Sequence, residues 1–205
     1  AMEDPEITAS FLGIVDTEAD RMNRLVKDLL QLSRLDHQRE RWSMKETNLV
    51  NILNTAIPKV ALTARQKEQH LNVLYDEEAV IPVNVDRDRI EQVVLNVLSN
   101  AIKYTNEGGR IDIDVLESGN YVKVIVSDNG IGISEADIPR VFERFYRVDK
   151  ARSRAMGGTG LGLPISKQIV EEHHGTLTIE SQEGKGTNVT MTLPLSFHRG
   201  QRGIE

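Results

Sequence analysis

No cysteine occurs anywhere in the 205 residues, which excludes disulfides and every zinc site built on thiolates. No apolar run approaches the length of a membrane span, and the acidic N-terminal stretch lacks a signal peptide's charged-then-apolar pattern. Positive charge is in deficit. With 25 Lys and Arg against 31 Asp and Glu, the formal net charge is −6, which counts against a general nucleic-acid binder, since such proteins need a basic face. The apolar share is 39%, ample for a core. Ala1-Met2 reads as a remnant of cloning, so the chain is expected to be a fragment of something larger.

What is present centres on Ser127 to Ser166. That stretch opens with Asp128-Asn129-Gly130-Ile131-Gly132 and closes with Gly157-Gly158-Thr159-Gly160-Leu161-Gly162. Between the two glycine clusters runs a polar, Arg-rich segment, Arg144 to Arg154, close to Phe142, Phe145 and Tyr146. Glycine loops bring bare backbone N–H groups, and the segment brings cations, toward a polyphosphate. A dinucleotide fingerprint is disfavoured, because Val148 to Ala155 is a polar loop where that motif needs a strand. The Walker pattern fails for want of Gly-Lys-Ser/Thr.

Upstream, Ile14 to Leu35 repeats apolar residues at steps of three and four with no Gly or Pro, and predicts a helix with one apolar seam. That seam needs a partner, in its own domain or in a second copy. Residues His37 to Lys45 read as a linker. Asn48 is a candidate N-cap for a helix running past Leu62, with a kink or break expected at Pro58. His70–Tyr75 and Val83–Val85 read as strands, and Asp86 or Asp88 caps a strong helix over Ile90–Lys103. Arg110–Leu116 and Tyr121–Ser127 form a hairpin. Gly162–Glu172 is helical, with Gly175 as its terminating glycine, and strands follow at Gly175–Ser181 and Thr187–Leu195. The fold class expected is α+β, a two-layer sandwich with helices on one face of a mixed sheet, preceded by a long helix.

Asn96, Asn100 and Lys103 fall on one helix face, where two amide oxygens suit Mg²⁺ and the lysine suits a phosphate. Taken alone, two capping asparagines would explain that face equally well. Asp128 before a glycine turn can accept from an exocyclic amine, or form an ordinary Asx turn.

Five motifs in this order resemble the sensor histidine kinases of two-component systems, with their Bergerat-type ATP-binding domain. Asn96-Val97-Leu98-Ser99-Asn100-Ala101-Ile102-Lys103-Tyr104 resembles the N box, and Asp128-Asn129-Gly130-Ile131-Gly132 the first glycine box. Phe142-Glu143-Arg144-Phe145-Tyr146-Arg147 resembles the F box, Gly158-Thr159-Gly160-Leu161-Gly162 the second glycine box, and Gly184-Lys185-Gly186-Thr187 the third. Arg21 to Asp36 is most similar to the cell-wall-regulating kinases of low-GC Gram-positive bacteria.

The resemblance implies ATP and Mg²⁺ as cofactors, with Asn96 and Asn100 on the metal and Lys103 and Tyr104 at the phosphates. It implies Asp128 at the adenine amine beside Gly130, Gly132 and Thr187, and Arg147 at the γ-phosphate. Gly158, Thr159, Gly160, Leu161 and Gly162 would frame the triphosphate, with Val148–Gly157 as the lid. Catalysis would rest on Asn96, Lys103 and Arg147. Where related ATPases carry a water-activating Glu, this chain has Asn96, which cannot take a proton, so slow hydrolysis is expected. The implied layout is the second dimerisation helix over 1–37, a linker over 38–46, the catalytic domain over 47–195 and a tail over 196–205. The implied partners are a response regulator and a second copy through the N-terminal helix, with no nucleic acid and no membrane contact. The implied location is the cytoplasmic part of a membrane-bound bacterial sensor.

One element of the family pattern is missing. None of His37, His70, His173, His174 or His198 stands in the His-Glu-x-x-x-Pro setting of a phosphoacceptor, so no self-phosphorylation is expected. His173-His174 closes a helix, where imidazoles suit the dipole. An anti-sigma-factor-type serine kinase and a nucleotide-binding regulatory module without kinase activity are the alternatives. The N-terminal seam helix counts against the first, and the intact motifs against the second.

Overall fold

The computed structural model describes residues 5–36, 41–148 and 158–196. The chain divides into two compact units, 1–40 with 139–165, and 41–138 with 166–205. Ala1-Met2, the start of the linker (37–40), the lid segment 149–157 and most of the tail, with His37 and His198, lie outside the described residues.

The larger unit is built on a five-stranded mixed sheet. Its strands are β2 (His70–Val73), β4 (Arg110–Ser118), β5 (Tyr121–Asp128), β6 (Thr176–Gln182) and β7 (Gly186–Pro194), in the order β2-β4-β5-β7-β6. The β2–β4 pair is parallel and the others antiparallel. Alternation sends Ile111, Ile113, Val122, Val124, Val126, Val189, Met191 and Leu193 to one face, where all are buried. Helices α2 (Leu49–Gln66) and α3 (Arg87–Tyr104) pack there, α3 through Ile90, Val93, Val94, Val97, Leu98 and Ala101. Each such aliphatic side chain contributes about 1.5–3 kcal/mol on leaving water, so this layer supplies most of the fold's driving force. The two-layer sandwich expected from the sequence is the one observed.

Local signals set the helix starts. Asn48 caps α2 by accepting from the Val50 N–H at 3.1 Å, and Asp86 caps α3 by accepting from the Arg89 N–H at 3.2 Å. The expected break at Pro58 does not occur. Helix α2 runs through it, with Pro58 on the exposed side, where an unpaired carbonyl one turn back costs least. Strand β1 (Met44–Asn48) begins inside the stretch read as linker, pairing antiparallel with β3 (Pro82–Asp86). Its polar residues carry no strand signal of their own; the partner supplies it.

In the other unit, α1 (Pro5–Asp36) starts earlier than the apolar pattern indicates. Its seam is covered at one end, where Leu32 and Leu35 are buried, while Val15, Met22, Val26 and Leu29 are exposed.

Helix α4 (Gly162–Glu172) ends differently from expectation. The left-handed residue is His174, at φ +59, while Gly175 is small for another reason: a Cβ there would lie 2.2 Å from the Thr192 carbonyl oxygen. Neighbouring His173 is 0% exposed. Its Nδ1–H donates to the Ile169 carbonyl at 2.7 Å, its Nε2 accepts the Asp86 N–H at 2.9 Å, and Trp42 meets its ring edge-on at 5.1 Å. His173 is therefore a buried hydrogen-bonding group rather than a solvated partner of the helix dipole. Burial holds the imidazole neutral, below its ordinary pKa of 6.5.

A group neutral in the fold but protonated in the open chain stabilises fully above pH 6.5, and that stability is lost as pH falls below it. Between pH 7.5 and 5.5 the protein should lose about 1 kcal/mol more than its His173→Gln variant in urea unfolding. Parallel losses in the two proteins would show that His173 is not the titrating group.

Candidate functional site

Asn96, Asn100 and Lys103 line one face of α3, each half-buried, on the side away from the helix's apolar contacts. The Asn96 Nδ2 donates to the Ser166 Oγ at 2.9 Å. The Lys103 ammonium sits 5.1 Å from the centre of the Tyr104 ring, which holds the charge near the end of the helix. Two buried-side donors finish that end: Lys67 Nζ donates to the Ile102 carbonyl at 2.7 Å, and Gln69 Nε2 donates to the Ile102 and Thr105 carbonyls at 3.0 and 2.7 Å. They satisfy carbonyls that a helix terminus leaves without partners.

The first glycine box leans directly on this terminus. The Ile131 N–H donates to the Tyr104 carbonyl at 3.1 Å, and a Cβ on Gly130 would lie 2.5 Å from that same oxygen. Asp128, at the end of β5, accepts the Gly130 N–H at 2.9 Å, the short-range turn expected for Asp-Asn-Gly. Asp128 is also the register partner of Thr187 on β7, so the first and third glycine boxes lie side by side. The approach is close enough to demand glycine. A Cβ on Gly186 (φ +112) would fall 1.8 Å from the Asp128 carbonyl oxygen, and one on Gly132 (φ +68) 2.0 Å from the Gln182 oxygen. Ser181 stitches the two boxes, accepting the Ile133 N–H and donating to the Gly186 carbonyl, both at 2.8 Å, with Thr187 Oγ1 at 2.9 Å.

Desolvation raises the Asp128 carboxyl above its usual value of 3.8, and the backbone N–H groups of Gly130 and Thr187 pull it partly back. A half-buried carboxylate beside bare backbone is suited to accept from a flat, amine-bearing ring. Among the described residues no group of three or more His, Cys, Asp or Glu side chains could hold a metal ion. The donor set on α3 is two neutral amide oxygens, hard ligands that suit Mg²⁺ when waters and phosphate oxygens complete the shell.

The other predicted site residues belong to the unit that contains α1. Arg147 donates to the Gly158 carbonyl, so the end of the F box and the second glycine box are joined there. Phe145 (φ +65) donates its N–H to the Gly160 carbonyl at 3.0 Å, and a Cβ on Gly160 (φ +75) would meet the Phe145 Cα at 3.0 Å. Thr159 Oγ1 donates to Asp28 at 2.7 Å and accepts the Leu161 N–H at 3.3 Å, just ahead of α4. Arg144 forms a two-pronged ion pair with Asp36, at 2.6 and 2.8 Å. Ser166, Ser181, Lys67 and Gln69 were not legible in the sequence. Nothing local marks them, because their partners stand far along the chain or on a neighbouring strand.

Residues 85–196 match the family described as histidine kinase-, DNA gyrase B-, and HSP90-like ATPase. The chain is 43% identical over 196 residues to the sensor histidine kinase WalK of Bacillus subtilis (strain 168), covering 95% of this chain and 32% of that protein. It is 40% identical over 200 residues to the sensor protein kinase WalK of Staphylococcus saprophyticus, with the same shares covered. The chain thus spans about a third of the length of these relatives. Among solved structures, histidine kinase ThkA in complex with response regulator protein TrrA superposes with a TM-score of 0.75 at 26% identity, over 95% of this chain and 53% of that one. Full-length ShkA in complex with AMPPNP superposes at 0.77 with 23% identity, over 92% and 39%, a likeness of fold alone.

Gly184 and Gly186 share one turn and both adopt positive φ, yet nothing lies within 4 Å of a Cβ on Gly184. Gly184→Ala should therefore cost about 1 kcal/mol of backbone strain, and Gly186→Ala about 3 kcal/mol or more, since a backbone clash adds to the strain. Equal losses in chemical denaturation would remove the close approach as the reason for Gly186.

Proposed function

Because this chain belongs to the histidine kinase-, DNA gyrase B-, and HSP90-like ATPases, we propose that it is the catalytic ATP-binding core of a sensor histidine kinase. The relatives named WalK support the kinase reading, and the match to an ATPase family supports the nucleotide. The observation that carries the proposal is the seam between the first and third glycine boxes. There a half-buried carboxylate stands beside backbone that admits no Cβ, which suits an adenine ring and its amine.

In this reading Asp128 accepts from the adenine amine, with Gly130, Gly132 and Thr187 alongside. Asn96 and Asn100 would hold Mg²⁺, which supplies charge neutralisation at the phosphates. Lys103 and Tyr104 meet the phosphates, and Arg147 and the run Gly158, Thr159, Gly160, Leu161 and Gly162 attend the triphosphate end. Lys103 and Arg147 offset charge that develops as the γ-phosphoryl transfers in line to a histidine. Asn96 has no carboxylate with which to activate water, so the γ-phosphoryl is preserved for that acceptor.

The acceptor is not among the histidines of this sequence: none has the required setting, and His173 spends both ring nitrogens on backbone groups. The domain layout proposed is a dimerisation helix over 1–37, a linker over 38–46, the catalytic domain over 47–195 and a tail over 196–205. Phe11, Val15, Met22, Val26 and Leu30, all exposed on α1 at helical steps, suit pairing with a second copy. A response regulator is the proposed recipient of the phosphoryl group, on the likeness to ThkA, whose structure holds the regulator TrrA. No helix among the described residues is long and apolar enough to cross a membrane; the cytoplasmic part of a membrane-bound sensor is the proposed location, on the likeness to the WalK sensor kinases.

Titration with Mg·ATP should show binding. With γ-labelled ATP and a separately made domain carrying the acceptor hairpin, an acid-labile label should appear on that domain. Label that survives acid, or no binding, would overturn the histidine kinase reading. Asp128→Asn should weaken ATP about tenfold and leave inosine triphosphate, which lacks the amine, unchanged. In the parent protein, ATP affinity should fall on acidification from above pH 3.8, as Asp128 takes a proton, and the variant should lack that fall. Equal losses for both nucleotides would refute the adenine contact.

A further inference from the structure

Asn96 and Asn100 are the same side chain one turn apart, yet only one of them is held. The Asn96 Nδ2 donates to the Ser166 Oγ at 2.9 Å, whereas Asn100 makes no side-chain hydrogen bond among the described residues. Ser166 is 2% exposed and lies in α4, so its hydroxyl is a fixed point rather than a solvated one. A carboxamide has a donor end and an acceptor end of nearly equal shape, and a rotation of 180° about its last torsion exchanges them. With the nitrogen committed to Ser166, the oxygen is the end left for a cation. Without that hydroxyl the amide has no hydrogen-bonded anchor among the described residues, and its orientation would be ordered only when the ion arrives.

We propose that Ser166 is a positioning residue, which fixes the amide of Asn96 so that its oxygen is presented to Mg²⁺ bound with ATP. The inference rests on the reading of Asn96 as a metal ligand. The physical advantage is preorganisation: the orientation is set before the ion arrives, so ordering the amide does not draw on the binding energy. Ser166 touches neither the nucleotide nor the metal in this scheme. It acts through Asn96.

The test compares ATP affinity with Mg²⁺ and with EDTA in the parent protein, Ser166→Ala, Ser166→Thr and Asn96→Ala. The parent should bind ATP more tightly with Mg²⁺. Ser166→Ala should lose about tenfold of that enhancement while its affinity in EDTA stays unchanged. Ser166→Thr, which keeps the hydroxyl, should restore it. The Asn96 side-chain amide protons, followed by NMR without nucleotide, should lose their hydrogen-bonded shift in Ser166→Ala, while those of Asn100 do not move. Full Mg²⁺ enhancement in Ser166→Ala would overturn the proposal. Affinity lost equally in EDTA and in Mg²⁺ would also overturn it, since that pattern belongs to packing. If Asn96→Ala keeps the whole enhancement, the metal reading itself falls and the proposal with it. A normal loss in Asn96→Ala beside an unaffected Ser166→Ala would refute Ser166 alone.

Discussion

The fold turns on a knot at Asp86. Its carboxylate accepts two backbone N–H groups, from Arg89 at 3.2 Å and from Ser43 at 2.8 Å, and its own N–H is taken by His173 at 2.9 Å. One buried residue thereby starts helix α3, anchors the strand pair β1–β3 and receives the C-terminal end of α4. Each bond alone is worth on the order of 1 kcal/mol, but a buried donor or acceptor left unmade costs more. Helix α3 carries Asn96, Asn100, Lys103 and Tyr104, so its start sets the height and rotation of every one of them.

A second constraint acts at the other end of α3. Its last carbonyls are closed by Lys67 and Gln69, and the Tyr104 carbonyl takes the Ile131 N–H of the first glycine box. From there the chain passes Asp128 and Gly130 at contact distances no β-carbon could share, and the third glycine box lies against it through the β5–β7 register. The glycines in this half are therefore structural first. They let main chain pack on main chain, and at the glycines themselves no side chain stands in the way of a ring.

Much of this was legible in the chain because its causes are local. The apolar spacing of Ile90, Val93, Val94, Val97 and Leu98 needs only the helix period, and Asn48 and Asp86 are caps that act within three residues. The glycine boxes were legible as motifs, though not the reason for each glycine: at the end of α4 the turn is made by His174, and Gly175 is small for its neighbour's sake. What failed to show has distant causes. Strand β1 is polar and exists because β3 is beside it. Ser166 meets Asn96 across 70 residues, and a serine on a helix looks the same with or without such a partner. His173 carried a signal for a charged helix end, and burial reversed it.

The bond between Asp86 and His173 spans 87 residues, which gives the molecule a direction in time. A chain made from its N-terminus at roughly 5–20 residues per second exposes Asp86 on the order of ten seconds before its imidazole exists. Through that interval α3 can form from its own cap and apolar face, while the amide of Asp86 remains open to water. Closure waits for α4. The amide-bearing helix is thus begun early and sealed late, so a ribosome-bound chain ending short of His173 holds the residues of the α3 face without the last bond that fixes where the face stands.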